Sequence, residues 1–423
     1  MILSYYWPPS GGSGVQRWMY FAKYLERLHW RVTVITVDPK AASYPVLDPS
    51  LLEHVNRVKT YRTKSFEPLK LYKWFAFKSK NNLPQGDIKT KGILNKIFAF
   101  IRGNFLIPDA RKVWNYHALK KAKTVLNETP MNYLVTTGPP HSTHLIGLKL
   151  IKQYEIKWLA DFRDPWTSIF YNKKLYRTSW AKNKDARYES RVLESADAIL
   201  TTLGGAFHKE LYQKTDKNQK FISIVNGYDR QLMSKTKSVK SQKFHIVYSG
   251  LLTSNQNFKI IIQVLEILQS KYPNKIKLTL AGNIGPTIIS SFKNRLNSIE
   301  VIYLGYIPHH DSVSLIKQAH LLLAFSFEQA SDQMISGKLL EYLSSGVPLI
   351  VIGHPESQVA QIVNRGTHSK VYQSSDCNKI QNQFLKLIQA WLDNTSIINQ
   401  FEGISEYSRD NLTKKLEETL LSL

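Results

Sequence analysis

Lys338 and Glu341 stand three residues apart in "SDQMISGKLLEYLSSGVPLIVI" (331–352), so a helix there carries both on one face. Ser336 and Gly337 open that helix, Gly346 and Pro348 close it, and a buried strand follows. A lysine for phosphate oxygens, amides at a helix start and a carboxylate able to accept two vicinal hydroxyls outline a nucleoside-diphosphate site. The bland alternative is an ordinary i,i+3 surface ion pair. A second anion-binding signal stands near the start, in "YYWPPSGGSGVQR" (5–17). Gly12, Ser13 and Gly14 precede a helix, where free N–H groups and the positive dipole end favour negative charge. Gly12 and Gly14 begin a dinucleotide fingerprint, but Arg17 takes its third glycine position. Asp38 ends the next strand at about the right distance for a ribose, yet "WPPSG" makes the loop wider than that fingerprint needs. A tight turn without a ligand is the alternative.

"DFRDPW" (161–166) sets Asp161, Arg163 and Asp164 at the end of a predicted strand. Arg163 suits a phosphate or a substrate carboxylate, and Asp161 or Asp164 suits an acceptor hydroxyl, with Arg17 grouped beside them. An internal Arg–Asp lock competes with that reading. His141 follows Gly138-Pro139-Pro140, and a packed or capping histidine is its alternative. The pairs His141/His144 and His309/His310 have no thiolate or glutamate motif beside them, so no metal is expected. There is no Asp-x-Asp, Walker loop or Gly-x-Ser-x-Gly elbow.

The elements that must position these residues alternate along the chain. Strands are predicted at 2–6, 31–37, 133–137, 158–161, 198–202 and 221–225, with helices at 14–28, 116–127, 141–154, 185–196 and 206–212 between them. "SKTKSVKSQK" (234–243) reads as a linker, and the alternation restarts at 244. A charged amphipathic helix begins near Ser405. This pattern predicts α/β architecture with two parallel-sheet domains, a first at 1–233 and a second at 244–398. A cleft between two such halves is where ligands of doubly wound sheets are expected.

The chain has 423 residues and a formal net charge of +25. Residues 57–123 hold 17 Lys or Arg against three acids, a net +14, interleaved with aromatic rings. That composition fits an anionic membrane surface, a solvated basic face or, with no supporting signature, nucleic acid. Cys377 is the sole cysteine, so an intrachain disulfide is excluded. The opening residues lack a signal-peptide pattern and no spanning helix is predicted, so the expected location is cytoplasmic, with possible peripheral attachment to the inner face of the plasma membrane.

Taken in order, "YYWPPSGGSGVQR", "IPD" with Trp114, "TTGPPHSTH", "DFRDPW", "ESADAILTT", "VNGYD", "YSGLL", "LGYIPHHD" and "GKLLEYLSSGVPLI" span nearly the whole chain. In that order and spacing they resemble a family-4 (group 1) glycosyltransferase of the GT-B fold. The resemblance implies two Rossmann-like domains facing across a cleft, with 399–423 crossing back to the first. It implies retaining transfer of a sugar from a nucleotide-diphosphate donor to a hydroxyl of a saccharide or lipid-linked saccharide, as in surface polysaccharide synthesis. No cofactor and no metal are implied. The donor would be held by Gly250, Gln333, Ser336, Gly337, Lys338, Leu339 and Glu341, with Gly12 and Gly14 facing its diphosphate. His141, Lys338 and Arg163 would carry the catalysis, and Arg17, Asp161 and Asp164 the acceptor. Two departures stand out. Gln333 replaces the first glutamate of the family's pair, eight residues before Glu341, and no basic residue occurs between Gly250 and Lys259. Lys338 is the expected substitute for the missing cations. Two other classes stay open: a nucleotide-sugar epimerase on the same fold, which would convert the donor without acceptor, and a basic nucleic-acid-binding protein, which would show steeply salt-dependent binding.

Overall fold

Leu349–Ile352 is apolar at every position and Thr33–Val37 is buried at every position, the pattern of strands covered on both faces. The computed structural model bears this out and describes residues 1–44, 46–66, 93–237, 239–326 and 335–423. Gln333 and the middle of the basic segment (67–92) lie outside the described residues. The described chain divides into two units, one of residues 1–226 with 409–423, the other of residues 227–408.

In the first unit seven parallel strands lie in the order β3-β2-β1-β4-β5-β6-β7. They are β1 (Ile2–Leu3), β2 (Thr33–Val37), β3 (Lys59–Thr63), β4 (Tyr133–Gly138), β5 (Lys157–Phe162), β6 (Ala198–Thr201) and β7 (Phe221–Ser223). Neighbouring residues point to opposite faces. Leu3, Ile35, Leu134 and Trp158 pack into one core with Trp114, Ile146 and Phe162. Ile2, Val34, Val135 and Leu159 pack into the other with Trp18, Met19 and Leu416. The last helix, Arg409–Leu421, belongs to this unit and lies on the helix Ser13–Arg27.

The second unit has six parallel strands in the order β10-β9-β8-β11-β12-β13. They are β8 (Phe244–Ser249), β9 (Ile276–Ala281), β10 (Glu300–Gly305), β11 (Leu321–Phe325), β12 (Leu349–Ile352) and β13 (Ser369–Tyr372). The stretch read as a linker belongs to this unit. Lys317 Nζ donates to the carbonyls of Met233 and Thr236, and Lys240 Nζ to that of Ala319, which fastens 233–240 to the sheet's N-terminal end. The predicted helix over 141–154 is instead a 3-10 turn, His141–Thr143, leading into His144–Leu150.

Each sheet reverses its order once, between β1 and β4 in the first unit and between β8 and β11 in the second. Ligands of open parallel sheets bind beyond the carboxyl ends of strands at such a switch point. The loop after β1 ends at Gly12, Gly14 lies in the first turn of the helix that follows, and the loop after β4 carries His141. The loop after β8 carries Gly250.

Candidate functional site

In the second unit, Tyr342 fixes the relation between β8 and the helix Leu339–Ser344. Its hydroxyl accepts from the Ser249 amide at 2.7 Å and donates to the Ser249 carbonyl at 3.2 Å. Ser249 Oγ also meets Ser312 Oγ at 2.8 Å, which ties in the helix His309–Gln318. Three pieces of distant sequence thus converge beside Gly250. A β-carbon there would lie 3.2 Å from Lys338 Nζ and 2.9 Å from the Tyr248 hydroxyl. Glycine lets the ammonium come close to the backbone.

Lys338 makes no hydrogen bond or ion pair among the described residues, and burial lowers its pKa to about 8, only partly offset by Glu341. Glu341 is 3% exposed, and its Oε1 lies 2.7 Å from His309 Nε2. His309 is the neighbour of Glu341 that the reading of site residues missed. Its signal was the quoted "LGYIPHHD", which sets it at a helix start. Ser336 is exposed and Gly337 partly so, just before the helix. Leu339 corrects an expectation: its side chain is buried and its amide donates to the Ser336 carbonyl at 3.1 Å, so it seats the helix instead of meeting a ligand.

In the first unit, Gly12 takes φ +92° as N-cap of Ser13–Arg27, a conformation that favours glycine. The amides of the following turn have no intrahelical partner. A β-carbon on Gly14 would stand 3.2 Å from Arg163 Nη1. Arg163 uses the room: its guanidinium donates to the carbonyls of Gly14, Pro139 and Gly138, the last at 3.2 Å. It braces the two switch-point loops against each other, and each terminal nitrogen keeps a second N–H.

Asp161 and Arg17 also correct an expectation. Asp161 Oδ1 accepts from Arg17 Nε at 3.1 Å and Nη2 at 3.0 Å, and Oδ2 accepts from Trp18 Nε1 at 2.6 Å and Thr137 Oγ1 at 2.7 Å. Arg17 Nη1 goes to the Ile224 carbonyl at 2.6 Å. Both side chains are buried with their polar atoms engaged, so they lock helix to sheet and leave no group for an acceptor. Asp164 is different: it accepts no hydrogen bond among the described residues, and burial raises its pKa against the pull of Arg163.

His141 stacks on Trp166 with ring centroids 5.0 Å apart and planes 9° apart. Among the described residues neither ring nitrogen has a hydrogen-bond partner of good geometry. Burial, helped by the Arg163 charge and opposed by the Pro165 carbonyl, lowers its pKa to about 3. It is therefore a neutral imidazole at physiological pH. Gly138 makes room for it, since a β-carbon there would lie 2.6 Å from His141 Nδ1 and 2.7 Å from His144 Nε2. Among the described residues no group of three or more His, Cys, Asp or Glu is placed to hold a metal.

Residues 243–390 match the family described as glycosyl transferases group 1. No curated protein matches the sequence. Among solved structures, the chain is similar over its full length to Anabaena HepE in complex with UDP, at 12% identity and TM-score 0.62, covering 99% of that chain. It is similar to sucrose-phosphate synthase from Thermosynechococcus elongatus at 13% identity and TM-score 0.61, covering 100% of this chain and 98% of that one. It is similar to WaaG, a glycosyltransferase involved in lipopolysaccharide biosynthesis, at 14% identity and TM-score 0.56, covering 99% and 98%. The two Rossmann-like units have the GT-B fold of these proteins, as the sequence resemblance implied.

Proposed function

We propose, from the match of residues 243–390 to the group 1 glycosyltransferase family and from the GT-B fold, that this protein transfers a sugar, with retention, from a nucleotide-diphosphate donor to a hydroxyl of a saccharide or lipid-linked saccharide acceptor. One observation carries the reading. Lys338 holds a half-buried ammonium against Gly250, with no hydrogen bond or ion pair among the described residues, near the carboxylate that meets His309. A partly desolvated cation that forms no ion pair suits a group that brings its own negative charge.

In this reading Lys338 stabilises charge as it develops on the departing diphosphate, the largest lever open to a transferase. The amides of Ser336 and Gly337 assist it, and no metal is required. Glu341 accepts two vicinal ribose hydroxyls, and its hydrogen bond to His309 fixes the plane of the carboxylate. The amides after Gly12 offer further donors for phosphate oxygens. His141, held neutral, serves as a hydrogen-bond partner for a sugar hydroxyl and is not a base. Asp164, with free acceptor capacity, orients the attacking hydroxyl, and Arg163 holds the loops on which His141 and Gly14 stand.

The test is a thermal-shift screen of wild type and Glu341→Ala against UDP, GDP, ADP, dTDP and CMP. A ligand at a hundred times its dissociation constant adds about 2.7 kcal/mol, a shift of a few degrees. One nucleoside diphosphate should stabilise wild type and leave Glu341→Ala unmoved. If none shifts wild type, the donor reading fails.

A further inference from the structure

The helix Ile93–Phe105 is packed with its apolar side outward. Ala99, Gly103 and Asn104 face the protein and are buried, while Ile97, Phe98, Phe100, Ile101 and Phe105 are exposed, Phe105 at 73%. The spacing 97, 98, 101, 105 places four of these on one face, with Phe100 at its edge. The orientation is built in. A β-carbon on Gly103 would collide with the Leu175 carbonyl, so only glycine allows this closeness. Asn104 Nδ2 donates to the Tyr176 carbonyl at 3.2 Å, and Asn104 Oδ1 accepts from the Thr178 amide and hydroxyl, each at 2.8 Å. Turning the helix over would bury four large side chains but break those bonds and drive bulk into Leu175.

The neighbouring segment continues the patch. Tyr176 is exposed, and Trp180 is 61% exposed with Lys184 Nζ 4.5 Å from its ring. Lys96, Lys173 and Lys182 are exposed around this patch, while the Arg177 side chain is buried in an ion pair with Asp185.

We propose that this face, the outward side of Ile93–Phe105 with Tyr176 and Trp180, docks on an anionic lipid surface. Apolar side chains flanked by amphipathic Trp and Tyr and rimmed by Lys suit the boundary between headgroups and acyl chains. The charge selects the occupant. A second copy would bring the same basic rim and be repelled, whereas an anionic bilayer complements it. The use of such docking rests on the lipid-linked acceptor proposed above, but the docking itself is measured without donor or acceptor.

The full chain is floated with vesicles of phosphatidylcholine alone and of two parts phosphatidylcholine to one part phosphatidylglycerol. Wild type should float about tenfold better with the anionic vesicles. The double variant Ile97→Ser/Phe105→Ser should stay in the dense fraction with its thermal midpoint unchanged, because both residues are exposed. Brominated lipid should quench wild-type fluorescence more than that of Trp180→Phe. Equal flotation of wild type and double variant overturns the proposal, as does wild type that ignores both vesicles. A wild-type dimer that the double variant loses overturns it too, by making the face a self-contact. Nucleotide thermal shifts on the same preparations report separately on the donor reading.

Discussion

At the scale of single residues, charge in a dry place sets the pH behaviour. Lys338 loses its proton near pH 8 in the free protein, and a bound diphosphate would raise that value. Binding above pH 8 must therefore take up a proton, so nucleoside-diphosphate affinity should fall about tenfold per pH unit from there. Lys338→Arg, which stays charged, should give a flat profile by titration calorimetry between pH 7 and 9.5. Equal slopes would show that Lys338 does not meet the phosphates. His141 works in the other direction, on stability. Its folded pKa of about 3 lies below the unfolded value near 6.5, so its contribution is complete above pH 6.5 and is lost as pH falls toward 3. Between pH 6.5 and 5 the loss is about 2 kcal/mol from this one ring. Denaturant unfolding at both pH values should show His141→Gln losing less than wild type by roughly that amount. Both residues drew attention as candidates in the sequence because glycines and prolines flank them. His309 was not, because a histidine's partner 32 residues away is set by packing and not by spacing.

At the scale of elements, hydrophobic patterning located most strands and helices, and it failed where a tertiary contact overruled it. β3 reads "KTYRT", half-polar because it lies at the edge of its sheet, with Thr63 its one buried residue. It vanished into a basic segment that the sequence presented as a single surface. The helix 93–105 is hidden for a related reason: its apolar side faces away from the core. "DFRDPW" shows a third case, since the sequence left open whether its carboxylates meet ligand or protein. Asp161 is a lock that joins helix Ser13–Arg27 to β4 and β5 through Arg17, Trp18 and Thr137. Asp161→Asn leaves Arg17 buried without its counter-ion, which should cost about 3–5 kcal/mol. Denaturant unfolding measures this directly, and a loss below about 1 kcal/mol would return Asp161 to the list of groups free for a ligand.

At the scale of the whole molecule, the chain leaves its first unit at 226 and re-enters it at 409. The residue pattern by itself shows only a charged C-terminal helix, because the partner is the helix at the other end; its return to the first domain was implied by the family resemblance. Trp30 Nε1 donates to Glu417 Oε1 at 2.6 Å, the Arg409 guanidinium lies 3.9 Å from the centre of the Tyr20 ring, and Arg409 Nη2 reaches Gln16 Oε1 at 2.7 Å. Leu412, Leu416 and Leu420 are buried in the same cluster as Trp18, Met19 and Leu25. Burying three leucines is worth about 5–9 kcal/mol as an upper figure, comparable to the whole stability of a domain. The second unit has its own core, built from Phe244, Ile261, Leu278, Leu323 and Phe384 among others, and contains Gly250, Lys338 and Glu341. Truncation after Ser408 should therefore unfold the first unit selectively. Calorimetry should show its transition lost or moved far down while a second persists, and the nucleotide-dependent shift should follow the transition that remains. If truncation abolishes both transitions together, the two units fold as one cooperative block and donor binding depends on residues of the first. If it leaves both in place, the leucines of the last helix contribute far less than their burial implies.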